Sequence, residues 1–458
     1  MKTKIVALFL VAALLCFAVA GCAPKAAEGE GEEAVAESSA PVEEESEAPE
    51  EPAYEECTLL IITHFTNYVE TLFAEYDAAF EAKYPGITLE WDAYTDYDTD
   101  LRVMMNAGEY GDVLSNVDGV AVADFPTYYL PLGTVDEIGE LYMFPNELEK
   151  DGTCYGIPQM VNAMGMVYNK AVFDAAGVQG VPATPEDFLA ALQLIKDNTD
   201  AIPFYTNYAA GWTMSQWNDY RTGVAGDPDF MNGVLPHIDD PFSEGRPDNV
   251  IYSLMYDIVA NGLCEEDPYT TDWEPSKGMM NRGEIGVMAL GSWAIGQMMD
   301  PEADGTKENE EDIGYMPFPY TQSDGKIYAK AGGDRKLCIA ANSEHPKEAR
   351  LFIDWFLNES GFAQSQMAIS PVKGQAFPSV LDSFSELGVE YLSDNPAPPE
   401  ESGLLDSIDQ ASVNYWSQDF KWRIIDAAYG NTDESLDDIF ADLNQQWADA
   451  RAELGVVD

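Results

Sequence analysis

The chain has 458 residues, 82 of them acidic and 23 basic, which gives a formal net charge of -59 at pH 7. At roughly 150 residues per domain this length predicts two or three domains, and a composition with 46% hydrophobic and 12% aromatic residues excludes a mainly disordered chain. The charge argues against nucleic-acid binding and against broad contact with anionic lipid, because both need a cationic surface that 23 basic residues cannot easily supply.

Residues 1–21 have the pattern of a secretory signal peptide. Two lysines precede an apolar run from Ile5 to Val19, which is shorter than the ~20 residues of a membrane-spanning helix. The run ends in Val19-Ala20-Gly21-Cys22, which resembles the lipobox of bacterial lipoproteins. This resemblance implies cleavage before Cys22 and attachment of lipid to its thiol, and it places the mature chain on the extracellular face of the cell membrane. The alternative is an ordinary signal peptide that contains a cysteine.

Residues 22–56 are predicted to form an acidic, disordered tether. The part that follows Cys22 contains 13 Glu and one Lys, with many Ala, Ser and Pro and almost no large apolar residue. Such a segment cannot bury enough surface to offset its chain entropy, and repulsion between like charges extends it further. We expect it to hold a folded domain away from the membrane.

The first folded elements predict a βαβ unit. Residues 57–63 form a short apolar run, as expected for a strand that is covered on both faces. Residues 69–84 place aromatic and aliphatic side chains at helical spacing, and Pro85-Gly86 ends the helix. Residues 87–93 alternate between apolar and polar side chains, which predicts a second strand, and a further strand is expected at 112–116.

Later segments continue the α/β pattern. Thr184 followed by Pro185 marks a helix start, and a helix is predicted after His345-Pro346. The stretch 434–454 is also amphipathic. Helices mixed with short strands over about 400 residues favour two α/β lobes over one large sheet.

Five segments then carry a family resemblance. In chain order they are Gly152-Thr153-Cys154-Tyr155-Gly156-Ile157-Pro158, Val167-Tyr168-Asn169-Lys170 with Phe173 and Ala176-Gly177, Gly283 to Gly291-Ser292-Trp293, Gly314-Tyr315-Met316-Pro317-Phe318-Pro319, and Gly332-Gly333 with the helix 346–358. Each segment alone is a weak signal, but the five together, behind a lipobox, are specific. From about Cys57 to the C-terminus the chain resembles the extracellular solute-binding proteins of ABC importers, the family that includes maltose-binding protein.

The resemblance implies a type II periplasmic-binding-protein fold, in which two α/β lobes are joined by a multi-segment hinge. It would place residues 57–163 and 328–370 in lobe 1 and residues 166–325 and 375–458 in lobe 2. A solute would bind in the cleft between the lobes, which is where ligand sites are expected in such folds. We therefore expect a monomeric binding protein, without a cofactor or catalysis of its own, that delivers a sugar or oligosaccharide to the permease subunits of an ABC transporter.

Three tryptophans are candidate contacts for a sugar, because the flat C–H face of a sugar ring stacks on aromatic side chains. Trp293 matches the stacking position of the family, and Trp416 resembles a second one. Trp212 is predicted to line the cleft from lobe 2. The alternatives are packing in the core for Trp293 and Trp416, and a surface loop for Trp212.

Polar candidates lie at strand ends, where open α/β sheets bind ligands. They are Phe65, Thr66 and Asn67 after the first strand, Asp118 after the strand at 112–116, Asn162 before the first crossing to lobe 2, and Gly333, Asp334 and Arg335 near the return crossing. Asn67 has a helix cap as its alternative role. Arg335 has an ion pair with one of the many acids as its alternative.

Other chemistries have weaker signals. The three histidines, His64, His237 and His345, are not spaced with other ligands as in a zinc site. The acids Asp96, Asp98 and Asp100 lack the glycine and closing glutamate of a calcium loop, so we expect a solvated acidic surface there.

Two points stay open at the level of sequence. The pairing of the four remaining cysteines is undecided; they are Cys57, Cys154, Cys264 and Cys338. A polyamine or peptide binder on the same fold, and a secreted glycoside hydrolase, are the alternative functions.

Overall fold

The computed structural model describes residues 54–66, 68–299 and 307–456. The predicted signal peptide, Cys22 and most of the predicted tether lie outside these residues. None of the described helices is long and apolar enough to cross a membrane. The contacts of the folded part begin at Tyr54, whose ring packs against Tyr84 with 5.7 Å between ring centroids.

Within the described residues, helices and strands alternate along most of the chain. The strands are β1 Cys57–Thr63, β2 Ile87–Ala93, β3 Val113–Ser115, β4 Gly133–Thr134, β5 Glu149–Lys150, β6 Thr153–Cys154, β7 Ile157–Pro158, β8 Val161–Asn169, β9 Ile202–Phe204, β10 Ile285–Gly291, β11 Ile313–Met316, β12 Tyr328–Gly333, β13 Lys336–Ile339 and β14 Glu390–Leu392. The α-helices are α1 Leu72–Lys83, α2 Tyr97–Ala107, α3 Phe125–Tyr128, α4 Val135–Leu141, α5 Lys170–Ala176, α6 Pro185–Asn198, α7 Arg221–Ala225, α8 Pro247–Ala260, α9 Trp273–Asn281, α10 Ile295–Met299, α11 Pro346–Asn358, α12 Phe362–Ser365, α13 Asp382–Glu386, α14 Leu404–Ala411, α15 Asp419–Tyr429 and α16 Leu436–Glu453.

Lobe 1 is built on a five-stranded sheet with the order β2-β1-β3-β13-β7. β1 is parallel to β2 and to β3, so the predicted βαβ unit at the start of the fold is confirmed. Its helix begins at Leu72 rather than at residue 69, because residues 68–71 form a turn in which the N–H of Thr71 donates to the carbonyl of Tyr68. Phe73, Tyr76 and Phe80 of α1 are buried against the sheet.

Lobe 2 is built on a sheet with the order β14-β12-β8-β10-β9, in which β11 also pairs with β8. The long strand β8 is antiparallel to β10, with Met164 opposite Gly291. Helix α6 begins as predicted, since the hydroxyl of Thr184 accepts a hydrogen bond from the N–H of Asp187.

Over residues 54–66, 68–299 and 307–456 the chain passes between the two sheets three times. β7 of lobe 1 leads directly into β8 of lobe 2, and β12 of lobe 2 leads directly into β13 of lobe 1. The third passage lies between α12 and α13. Two of the crossing strands lie side by side, with Asn162 of β8 opposite Gly332 of β12, and Val161 forms a bridge with Ile369. The exact limits predicted for the lobes stay a prediction.

Each lobe has its own hydrophobic core. The core of lobe 1 packs its sheet against α1 and α11, through residues that include Leu59, Phe73, Phe80, Ile157, Leu337, Phe352 and Phe356. The core of lobe 2 includes Phe188, Leu192, Ile195, Ile251, Met255, Ile424 and Trp447. A further cluster in each lobe includes Leu101 and Leu114 in lobe 1 and Met288 and Tyr315 in lobe 2. The four cysteines of the folded part are free thiols.

Candidate functional site

A cavity of about 530 Å³ opens where the crossing strands pass between the lobes. It is lined by Asn146, Glu147, Asn162, Met164, Asp219, Lys330, Ala331, Gly332, Gly333, Asp334, Lys336, Ser393, Asp394 and Pro396. Four consecutive residues of β12, Lys330 to Gly333, run along it. Because these residues belong to a strand that leads from one lobe to the other, the cavity lies at the hinge and contacts both lobes.

Asn162 ties the two lobes together at this cavity. Its amide nitrogen donates to a carboxylate oxygen of Asp334 at 3.2 Å, and its amide oxygen accepts from the hydroxyl of Ser292 at 3.3 Å. Ser292 directly precedes Trp293, and its hydroxyl also accepts from the N–H of Ala163 at 3.0 Å. Two of the predicted polar residues, Asn162 and Asp334, are therefore neighbours and line the same cavity.

Gly333 is a glycine for a steric reason. A Cβ at this position would collide with the ring of Pro158 and lie 2.7 Å from a carboxylate oxygen of Glu147. The N–H of Gly333 donates to both oxygens of that carboxylate at 3.0 Å, and Lys336 pairs with Glu147 at 2.8 Å. The predicted residue Gly333 is thus part of the cavity wall, and the acid beside it is already neutralised.

Lys330 forms an ion bridge across the lobe 2 side of the cavity. Its ammonium lies 2.9 Å from Asp219 and 3.0 Å from Asp394. Burial alone would lower the pKa of Lys330, but the two carboxylates outweigh burial and raise this pKa to about 12. Asp394 also accepts a hydrogen bond from the hydroxyl of Thr222. The bridge holds three side chains from distant parts of the sequence in one place.

A second cavity of about 190 Å³ lies on the other side of this bridge. It is lined by Asn218, Asp219, Arg221, Met231, Asn232, Lys330, Asp394, Leu405, Asp406, Asp409, Tyr415 and Trp416. Asp219, Lys330 and Asp394 belong to both linings, so the two cavities adjoin each other. The predicted residue Trp416 lines the second cavity and is 65% exposed, which excludes packing in the core as its role.

Trp212 and Trp293 lie in one aromatic cluster on lobe 2. Their ring centroids are 5.8 Å apart, and Trp273 completes a triangle at 5.2 Å from Trp212 and 5.9 Å from Trp293. Trp293 packs over Gly291, since a Cβ at Gly291 would lie 2.5 Å from its indole nitrogen. A Cβ at Gly291 would also lie 3.3 Å from the sulfur of Met164, which lines the first cavity. Met164 is therefore close both to Gly291 and to the first cavity, and none of these three tryptophans lines either cavity.

Arg335 does not line either cavity and is instead held by acids of lobe 1. Its guanidinium donates to both carboxylate oxygens of Asp98 at 2.7 Å and lies 3.5 Å from Asp118. These hydrogen bonds hold the pKa of Asp98 below its ordinary value. The ion pair given as the alternative for Arg335 is therefore present. Among the described residues no cluster of acids, histidines or cysteines is placed to hold a metal ion.

The residues after β1 lie at the edge of the lobe 1 sheet. Phe65 packs against Phe362 with 5.2 Å between centroids, and Thr66 is exposed. Asn67 lies outside the described residues. His64 packs on Phe65 at 3.9 Å, and its Nδ1 is buried without a hydrogen-bond partner among the residues described. Burial, with the positive charge of Arg335, lowers the pKa of His64 to about 4, so this imidazole is neutral at pH 7.

Sequence reasoning placed several residues near the cavities but missed others. It did not find Trp273, Glu147 or the bridge of Lys330 with Asp219 and Asp394. The sequence signal at Trp273 is the helix start that Asp272 caps, which does not by itself indicate a cleft. The bridge has none, because Asp219 and Lys330 are 111 positions apart in the sequence. Contact between ligand and any of these residues stays a prediction.

Comparison with known proteins gives the family. The model of the bacterial extracellular solute-binding protein family matches residues 64–361. The multiple sugar-binding protein of Streptococcus mutans is 25% identical over 297 residues, which are 60% of this chain and 65% of that protein. A xylose/arabinose-binding protein of Haloferax volcanii is 26% identical over 51% of this chain and 49% of its own length. The chain thus spans about half to two thirds of these curated relatives.

Solved structures match over more of the chain. An ABC transporter binding protein of Bifidobacterium animalis subsp. lactis in complex with mannobiose is 34% identical, with a TM-score of 0.73, and the match covers 87% of this chain and 95% of that chain. A manno-oligosaccharide-specific solute-binding protein of the same organism, in complex with mannotriose, is 32% identical with a TM-score of 0.72 and the same coverage. The expected fold, two α/β lobes of the type II periplasmic binding proteins, is confirmed. The chain belongs to the bacterial extracellular solute-binding protein family.

Proposed function

We propose that this protein is the substrate-binding lipoprotein of an ABC importer, and that it captures a sugar or oligosaccharide between its lobes for delivery to the permease. The observation that carries the proposal is the first cavity, which is lined by hydrogen-bonding side chains and by Met164, a residue close to the backbone that leads to Trp293. Sugars present hydroxyl groups to polar side chains and an apolar face to aromatic rings. The mannobiose and mannotriose complexes of the two Bifidobacterium relatives support the same class of ligand.

Four carboxylates and two lysines line the first cavity, and because each carboxylate already has a partner in the protein, the pairing favours an uncharged ligand over a polyamine. Lys336 pairs with Glu147, and Lys330 pairs with both Asp219 and Asp394. Asp334 accepts from the amide of Asn162 and from the N–H of Arg335 at 2.7 Å. A polycation needs carboxylates that are free to pair with it, and two lysines in the wall would repel it.

The same pairing favours binding over catalysis. A glycoside hydrolase needs one carboxylic acid that gives a proton to the leaving group and a second carboxylate opposite it. Each of the four carboxylates in the first cavity is already engaged by a lysine, a backbone N–H or an amide of the protein. We therefore infer a role in capture and release, without turnover of the sugar.

Calorimetric titration with a panel of neutral mono- and oligosaccharides tests the proposal. We expect saturable binding of at least one sugar and recovery of that sugar unchanged. Trp293→Ala should weaken it at least tenfold, because a lost stacking contact with its buried area exceeds about 1.4 kcal/mol. Trp293→Phe, which keeps an aromatic face, should retain most of the affinity. No saturable binding to any sugar would contradict the proposal, and an unchanged affinity of Trp293→Ala would remove Trp293 from the site.

Attachment to the membrane is the second part of the proposal and rests on the sequence around Cys22. A lipid on this thiol, followed by the acidic segment 23–56, would keep the binding domain close to its permease. We expect the full chain to fractionate with membranes and Cys22→Ser to be released from them. A Cys22→Ser chain that stays with the membrane fraction as the native chain does would contradict the lipid anchor.

A further inference from the structure

A third cavity, of about 360 Å³, lies in lobe 2 at the end of β8 that is away from the crossing strands. Tyr168 lines it four residues beyond Met164, which lines the first cavity, and four residues of a strand span about 13 Å. Its lining has no residue in common with the linings of the first two cavities. We propose that the third cavity is a separate binding site for a small alkyl diamine, whose ammonium groups pair with carboxylates of α5 and α13.

The first argument is the free charge at the rim. Three exposed carboxylates line the third cavity, Asp174 of α5 and Asp382 and Glu386 of α13, together with one cation, Lys170. Within the part of the chain that the structure describes, none of these three carboxylates forms an ion pair or a side-chain hydrogen bond. In the first cavity, by contrast, each carboxylate has a partner. Free carboxylates in excess of the one lysine attract a cation.

The second argument is the hydroxyl of Tyr168. This side chain is 8% exposed, and among the described residues its hydroxyl has no hydrogen-bond partner. A Cβ at Gly314 would lie 2.7 Å from Cζ, the ring carbon that carries the hydroxyl, so the glycine leaves room for it in the cavity wall. Burial, followed by the charges of Glu386 and Asp174, raises the pKa of Tyr168, which is therefore protonated at pH 7. An ammonium group that donates to this oxygen would give the buried hydroxyl a partner.

The third argument is the apolar wall between the acids. The ring of Phe173 lies 4.7 Å from the ring of Tyr168, and Val178, Val181 and Val380 also line the cavity. Aromatic rings attract cations, and apolar side chains cover methylene groups. A volume of about 360 Å³ is at the lower end of the range for small-molecule sites, which suits a short chain. Because the acids lie on two separate helices, a ligand with a charge at each end matches them better than a monoamine.

Calorimetric titration of the full chain at pH 7 tests the proposal, in about 0.3 M NaCl to screen loose contacts with the acidic surface. The probes are 1,4-diaminobutane, butylamine with one charge, and 1,4-butanediol with none. We expect the diamine to saturate a single site per chain and to bind at least fivefold more tightly than butylamine. The diol should not bind, because it cannot pair with the carboxylates.

Variants of the cavity wall separate this site from general attraction to an acidic protein. Glu386→Gln and Asp174→Asn should each weaken the diamine at least fivefold, and Tyr168→Phe, which removes only the hydroxyl, at least threefold. Lys170→Met removes a like charge and should tighten the binding. The matched control, Glu453→Gln, removes an exposed acid of α16 and should leave the affinity within about twofold. Urea unfolding of each variant shows whether it is folded.

The results that would overturn the proposal are distinct. They are the absence of saturable diamine binding, binding of the diol as tight as that of the diamine, or equal effects of Glu453→Gln and the wall variants. Displacement of the diamine by a neutral sugar would place the amine between the lobes and overturn the proposal as well. Sugar binding without diamine binding would overturn this proposal alone, whereas diamine binding without sugar binding would support it and contradict the proposed function.

Discussion

Each lobe holds an arginine next to the cleft, and the two arginines lie in opposite environments. In lobe 1, Arg335 and Asp98 have side chains that are 20% and 32% exposed, and they form two hydrogen bonds of 2.7 Å. In lobe 2, Arg221 and Asp248 are 3% and 0% exposed, and the nearest nitrogen and oxygen are 3.9 Å apart. The partly buried pair has the better geometry, and the fully buried pair carries the higher desolvation cost.

This difference indicates different roles. The lobe 1 pair joins two segments at a partly buried place, where solvent screens part of its charge. The lobe 2 pair lies under the second cavity, where the guanidinium of Arg221 stacks 3.8 Å from the ring centre of Tyr415 and Asp248 accepts from the hydroxyl of that ring. A buried charge that is fixed on several sides keeps the wall beside Trp416 in one conformation. Lobe 2 therefore presents the preformed part of the cleft.

The largest expected effect tests this contrast directly. Asp248→Ala should lower the free energy of unfolding by about 3–5 kcal/mol, because it leaves a buried guanidinium without its carboxylate. Asp98→Ala, the matched variant in lobe 1, should lower it by about 1 kcal/mol, since its partner Arg335 can turn toward water. Urea denaturation of the two variants and the native protein, without sugar, measures both values. Equal losses in the two variants would show that burial does not distinguish the pairs.

Local features of the fold could be predicted from the sequence. Apolar runs and helical spacing gave β1, β2 and α1, and the cap at Thr184 gave the start of α6, because these signals depend on neighbouring residues alone. The start of α1 was placed three residues early, since a turn at 68–71 also positions apolar side chains inward. Boundaries depend on such turns, which spacing does not encode.

The candidate site was less accessible to sequence reasoning. Asn162 and Asp334 were found because both adjoin crossings between the lobes, and Trp293 because it ends a recognisable motif. The bridge of Lys330 was not found, because its partners Asp219 and Asp394 come from separate segments that only the tertiary fold brings together. In a chain with 82 acids, the sequence alone does not show which carboxylate faces which cation.

The smaller expected effect sharpens the lobe 1 side of the comparison, where the charge of Arg335 acts on His64. The pKa of His64 is about 4 in the folded protein, through burial first and Arg335 second, against about 6.5 in an unfolded chain. The unfolded state then binds more protons between these values, so stability is complete above pH 6.5 and is lost as the pH falls toward 4. The full loss from this group is about 3 kcal/mol.

Urea unfolding of the native protein and of His64→Gln at pH 7.5 and pH 4.5 isolates this contribution, because glutamine does not titrate and the carboxylates are common to both proteins. When the pH falls from 7.5 to 4.5, we expect the free energy of unfolding of His64→Gln to decrease by about 2–3 kcal/mol less than that of the native protein. If the native protein and His64→Gln lose stability in parallel, His64 is protonated as readily in the fold as in the unfolded chain. The prediction that burial and Arg335 lower its pKa would then be wrong.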